Sequence, residues 1–140
     1  MASKPIVAGT DGSEESLRAV DWAAREAALR GAPLRIVATA GLLPRMRPHT
    51  EAGQYETVTD GLVDDRDRAL AGLLDECRAK YPDVQVSHEV VHGHPARALT
   101  GLSARADLVV IGRRPGEPGP GSVRHALLNH AHGPVAVVPS

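Results

Sequence analysis

Ile6-Val7-Ala8-Gly9-Thr10-Asp11-Gly12-Ser13-Glu14-Glu15 sets a short apolar run against a turn of small and acidic residues, then the start of a helix. Ser13 is a good N-cap, and the two glutamates after it meet the positive end of the helix dipole. The spacing predicts a helix with Leu17, Val20, Ala24, Ala27 and Ala28 on one stripe, stopped by Gly31 and Pro33. A strand running at once into a core-facing helix is the opening of a parallel sheet covered by helices.

The same alternation continues outward. Further apolar runs lie at Leu34 to Thr39, Val84 to Val91, Leu108 to Ile111 and Val135 to Val138. Residues 41 to 55 hold prolines and glycines without periodicity, which predicts a loop before a second helix from near Glu56 to Lys80. A third helix is predicted over Pro95 to Ala104, and a fourth from Gly121-Ser122 to near His132-Gly133-Pro134. Strand three alternates, with Val84, Val86, His88 and Val90 on one face, as a half-covered edge does. Strands one, four and five are continuous apolar runs, as strands buried on both faces are.

Right-handed crossovers turn this order of elements into an α/β topology. The chain lays strands one, two and three outward, returns past strand one, and adds four and five on the other side. The result is a single open parallel five-stranded sheet in order 3-2-1-4-5 with helices on both faces, forming one domain over 1–140. Ligands of such sheets bind where the winding reverses, at the carboxyl ends of strands one and four, so the loops after Gly9 and Ile111 form the predicted crevice. Strand five is an edge without a charge in Pro134-Val-Ala-Val-Val, and coverage by a second copy, a homodimer through residues 134–138, is the simplest remedy.

Composition narrows the function. The chain has 140 residues, 17 acidic and 16 basic, a net charge of −1, no phenylalanine and one cysteine. With the charges interspersed, no basic face points to nucleic acid. Cys77 alone makes no intramolecular disulfide or thiolate metal cage, which fits a reducing, cytoplasmic setting, and no run is long enough to span a membrane. His88, His92 and His94 share a parity, but no neighbouring carboxylate completes a zinc-like set, so no metal site is predicted. Without a nucleophile elbow or CxxC pair, no catalytic residue is predicted and strong catalysis is not expected.

Two loops carry the binding chemistry. In Gly9-Thr10-Asp11-Gly12, the acid is placed to accept hydrogen bonds from a base or ribose, or to help hold a hydrated Mg²⁺; equally, it can serve only to order the turn. Acids at 11, 14 and 15 disfavour pyrophosphate on this first turn, unlike in a GxGxxG dinucleotide site. In Ile111-Gly112-Arg113-Arg114-Pro115-Gly116-Glu117-Pro118-Gly119-Pro120-Gly121-Ser122-Val123, four glycines precede a helix, and a phosphate can sit on the amides of Gly121 to Val123. Three prolines remove donors from the same loop, which leaves a stiff connector as the other reading. Arg113 and Arg114 can supply side-chain charge in their place.

Ile6 to Ser13, Gly93-His-Pro-Ala, Asp107-Leu-Val-Val-Ile-Gly, and Gly121-Ser-Val followed by a helix and Gly133-Pro-Val-Ala-Val-Val together resemble the universal stress protein family from end to end. The resemblance implies a Rossmann-like fold of the adenine nucleotide alpha hydrolase type and dimerisation through the last strand. It also implies a stress-response regulator that binds ATP, or ADP or AMP, with or without Mg²⁺. By resemblance Asp11 matches the family's acid after strand one, Ala38 or Thr39 the adenine-side wall, Gly112 the first glycine of the phosphate pattern, and Gly121, Ser122 and Val123 its terminal turn. Pro115 stands at the second glycine, with Gly116 one place late, and eight residues separate Gly112 from Gly121 where the pattern has twelve. Members of the family without the glycine pattern bind no ATP, so the alternative is an interaction module of the same fold without nucleotide.

Overall fold

The computed structural model describes residues 4–39, 70–91, 95–113 and 123–139. Their strands are β1 (Ile6–Thr10), β2 (Leu34–Thr39), β3 (Val86–Val91), β4 (Leu108–Gly112) and β5 (Val135–Val138). All neighbours pair parallel, in the order β3-β2-β1-β4-β5. Between them run α1 (Glu14–Arg30), α2, helical through 70–80, α3 (Pro95–Ser103) and α4 (Val123–His130). The predicted loop at 41–55 and the start of the second helix lie outside the described residues, as do Arg114 to Ser122.

The period-two alternation of strand side chains divides the core into two layers. Ile6, Ala8, Ile36, Ala38, Leu108 and Val110 face α1 and α2, where Ala19, Ala23, Ala27, Leu70, Leu74 and Cys77 meet them. Val7, Val37, Val109 and Ile111 face the other way, against Leu99 of α3 and Leu127 of α4. Leu34, Ile36, Leu99 and Leu127 are almost fully withdrawn from water. Each such side chain contributes about 1.5–3 kcal/mol through burial.

Helix α1 is capped as its sequence predicts. Ser13 accepts from the Ser16 N–H, and Gly31, in the left-handed region at φ 65°, sends its N–H to Ala27. The buried stripe, however, is Ser16, Ala19, Val20, Ala23, Ala24 and Ala27, while Leu17 and Ala28 are exposed. Small side chains let the helix lie close to β1 and β4, and that close approach, rather than side-chain size, chose the inward face.

Two strand expectations are corrected. Val84 is buried but precedes β3, which starts at Val86, and His88 is exposed although it shares a face with Val86 and Val90. At the other edge every residue of β5 is only half-buried, because β5 pairs with β4 on one side and no described strand meets its other side. Exposed ion pairs tie elements across the surface: Arg30 with Glu26 and Asp107, Lys80 with Asp21, and Arg35 of β2 with Glu89 of β3. The hydrogen bond to Glu26 leads in raising the Arg30 pKa, and that to Asp21 in raising the Lys80 pKa.

Candidate functional site

The winding reverses between β1 and β4, which pair from Ile6 with Leu108 to Ala8 with Val110. Two residues further along each strand stand Thr10 and Gly112, the tips that frame the crevice. Asp11 follows the first tip and Arg113 the second. Arg113 is exposed, and its backbone N–H donates to the Val138 carbonyl at 2.9 Å, which fixes the end of β4 against β5.

The turn after β1 is held by its own side chains. Asp11 Oδ1 accepts the Ser13 N–H at 2.9 Å, and Thr10 Oγ1 accepts the Gly12 N–H at 3.1 Å. Gly12 has φ 87°, a backbone conformation that strains any residue with a Cβ. The Asp11 carboxylate thus orders the turn, one of the two roles its sequence position allows.

Beneath the turn lies a buried hydroxyl pair. Thr10 Oγ1 and Ser16 Oγ are 2.8 Å apart, and Ser16 Oγ donates to the Ser13 carbonyl at 2.9 Å. Since a serine hydroxyl has one proton, the Thr10 hydroxyl must be the donor within the pair. Sequence reasoning singles out Thr10 but misses Ser16. The signal for Ser16 is a polar residue in register with the inward alanines 19, 23 and 27 of α1.

The glycines at the tips are shaped by packing. A Cβ on Gly9 would lie 2.9 Å from Leu99 Cδ1 and 3.8 Å from Ile111 Cγ2, so the α3 side of the β1 tip is closed by these two side chains. A Cβ on Gly112 would lie 2.5 Å from the Glu15 carbonyl oxygen and 3.0 Å from the Ser16 nitrogen. The end of β4 therefore seats directly on the first turn of α1, a contact no side chain permits.

The remaining predicted site residues divide. Ala38 is fully buried in the α1 and α2 layer, and Thr39 ends β2 level with Val91 of β3. Ile111 is buried in the α3 and α4 layer, and Val123 opens α4 against the same layer. Gly116, Gly121 and Ser122 lie outside the described residues, as do His92 and His94. The acids at the start of α1 are Glu14, exposed beside Arg18, and half-buried Glu15. Their negative charge disfavours an anion on the first turn of α1.

A parallel sheet in this order, its winding reversing between the first and fourth strands, defines a doubly wound α/β protein of the Rossmann-like class. The chain belongs to the universal stress protein family, whose sequence profile matches residues 2–139. Universal stress protein MT2052 of Mycobacterium tuberculosis (strain CDC 1551 / Oshkosh) is 34% identical over 155 residues, covering 96% of this chain and 47% of its own length. The chain thus spans about half the length of the curated relatives it matches first. A universal stress protein solved in complex with cAMP is 27% identical, with a TM-score of 0.68 over 99% of this chain and 98% of its own. UspA from Lactobacillus plantarum, 19% identical, shares the fold at a TM-score of 0.76, with 99% of each chain covered. Among the described residues no helix is long and apolar enough to cross a membrane.

Proposed function

We propose that this chain is a small cytoplasmic regulator that holds ATP or another adenine nucleotide across the carboxyl ends of β1 and β4. The observation that carries the reading is the meeting of two tips, Thr10-Asp11 and Gly112-Arg113, at the point where the winding reverses. The relative solved with cAMP, similar over nearly the whole of both chains, supports an adenine nucleotide as the ligand class. The residues fit such a ligand: a half-buried acid on one side and an exposed guanidinium on the other.

In this reading Asp11 accepts hydrogen bonds from the ribose or base, or helps hold a hydrated Mg²⁺. Gly9 and Thr10 carry the turn, and Ala38 or Thr39 flanks the adenine, Ala38 through its backbone alone because its side chain is buried. Ile111 and Gly112 form the β4 side, Arg113 and Gly116 lie toward the phosphates, and Gly121, Ser122 and Val123 take the terminal phosphate at the start of α4. A homodimer through 134–138 covers the exposed edge of β5.

Titration calorimetry and thermal unfolding with AMP, ADP, ATP and cAMP, each with and without Mg²⁺, test the reading. A nucleotide at a hundredfold excess over its Kd adds about 2.7 kcal/mol of stability. Gly121→Asp, which puts a carboxylate on the phosphate turn, should abolish binding and leave the fold; unchanged affinity would remove Gly121 from the site. A second reading, an interaction module without nucleotide, draws on one observation: Asp11 and Gly112 both have structural work independent of any ligand, in the turn and against Glu15. No stabilisation by any of the four nucleotides would favour it.

A further inference from the structure

The two walls of the crevice belong to strands that are far apart in sequence, yet both touch the same few atoms. Thr10, at the tip of β1, gives its hydroxyl proton to Ser16 Oγ and receives the Gly12 N–H. Ser16 Oγ passes its own proton to the Ser13 carbonyl, and the Ser16 N–H reaches Ser13 Oγ at 3.3 Å. Gly112, at the tip of β4, lies against the Glu15 carbonyl and the Ser16 nitrogen with no room for one carbon atom between them. Residues 13 to 16 therefore meet β1 through hydrogen bonds and β4 through direct backbone contact.

The geometry points to the first turn of α1 as the element that sets the spacing of the crevice, with Ser16 and Gly112 as positioning residues that act through it on the Asp11 turn. The hydroxyl chain is saturated in one direction: Gly12 N–H to Thr10, Thr10 to Ser16, Ser16 to the Ser13 carbonyl. Each bond in it is made only when the turn sits at its present depth over β1. A methyl group on Gly112 pushes Glu15 and Ser16 outward, lengthens the Thr10–Ser16 contact, and thereby loosens the loop that carries Asp11. Gly112 admits α1 whatever ligand the tips hold. Its effect on a ligand rests on the proposed nucleotide site, whereas the mechanical coupling does not.

The full chain tests both parts separately. Amide hydrogen exchange at Gly12 and Ser13, followed by NMR without ligand, reads the coupling. Gly112→Ala and Ser16→Ala should each speed exchange at these amides about tenfold, as should Thr10→Val, and Thr10→Ser should restore protection. The pair Ser16→Ala with Gly112→Ala should do no more than the larger single change, because both act through the first turn of α1. Ile36→Val, in the core of β2, lowers overall stability and should leave the two amides protected. Protection unchanged in Gly112→Ala, or effects that multiply in the double variant, would overturn the proposal. If Gly112→Ala does not fold, Ser16→Ala alone decides, and unchanged protection at Gly12 and Ser13 in that variant would overturn the proposal.

Calorimetry with AMP and ATP on the same proteins reads the consequence. Loosened amides together with at least about tenfold weaker nucleotide binding support both the coupling and its effect on the ligand. Loosened amides in a protein that binds neither nucleotide keep the coupling and remove the nucleotide site. Nucleotide binding that survives every variant with the amides protected does the reverse.

Discussion

Ser103 closes α3, is almost fully buried, and joins two parts of the chain that the sequence separates. Its hydroxyl donates to the Thr100 carbonyl and accepts the His132 N–H at 2.9 Å. His132 lies in the turn between α4 and β5, where a Cβ on Gly133 would already be 3.3 Å from the Ser103 carbonyl oxygen. The space is too tight for the turn to collapse onto a smaller side chain. Ser103→Ala therefore leaves the His132 N–H facing a methyl group, and the loss follows from an unmet donor rather than from lost apolar area. Losing one part-buried hydrogen bond costs about 0.5–1.5 kcal/mol. In a domain of this length each kcal/mol moves the midpoint of thermal unfolding by about 4 °C, so Tm should fall by about 2–6 °C. Urea unfolding gives the free energy, and amide exchange locates it: His132 should lose protection while Ile36, across the sheet, does not. A change under about 0.5 kcal/mol, the size of an ordinary surface substitution, would show that this bond does not hold the α4–β5 turn to α3.

Gly12→Ala forces a side chain into φ 87° and should cost about 1–2 kcal/mol in urea unfolding with the secondary structure retained; undiminished stability would contradict the turn geometry. Cys77 is buried, and burial, ahead of Asp21 and Glu76, pushes its thiol above the ordinary 9.0. As pH rises past that value the unfolded chain releases the proton that the folded chain keeps, so stability should fall there, and more steeply than in Cys77→Ala. Equal slopes for the two proteins would sever the link. Alkylation of native Cys77 should also be slow and become fast on unfolding. If β5 mates with a second copy, Val137→Lys should give a monomer by light scattering, and a persisting dimer would move the interface elsewhere.

Much of this architecture is legible without coordinates because its causes are local. Ser13 caps α1 and Gly31 ends it through bonds made within a few residues. The order 3-2-1-4-5 follows from the alternation of apolar runs with helices and from the handedness of crossovers, which leaves few alternatives. The inward face of α1 departs from the stripe that apolar spacing predicts: Leu17 has the character of a core residue, but contact with β1 and β4 selects the smaller Ser16, Ala19 and Ala23. Strand β5 has the continuous apolar run of a strand buried on both faces, although the strand order already puts it at an edge; its place beside β4 alone leaves it half-covered.

The candidate site divides along the same line. The chain's own order of residues determines that an acid follows the first strand, that glycines follow the fourth, and that a parallel sheet brings those tips together. Only tertiary structure decides why the glycine at 112 is needed: the Glu15 carbonyl that excludes a Cβ is nearly a hundred residues away in sequence, a distance over which periodicity and turn chemistry carry no signal. The Thr10–Ser16 pair is hidden for a related reason. A short-range pattern can mark a hydroxyl as inward-facing, but whether it finds a partner depends on how deeply one helix sinks onto two strands, and that depth is set by packing.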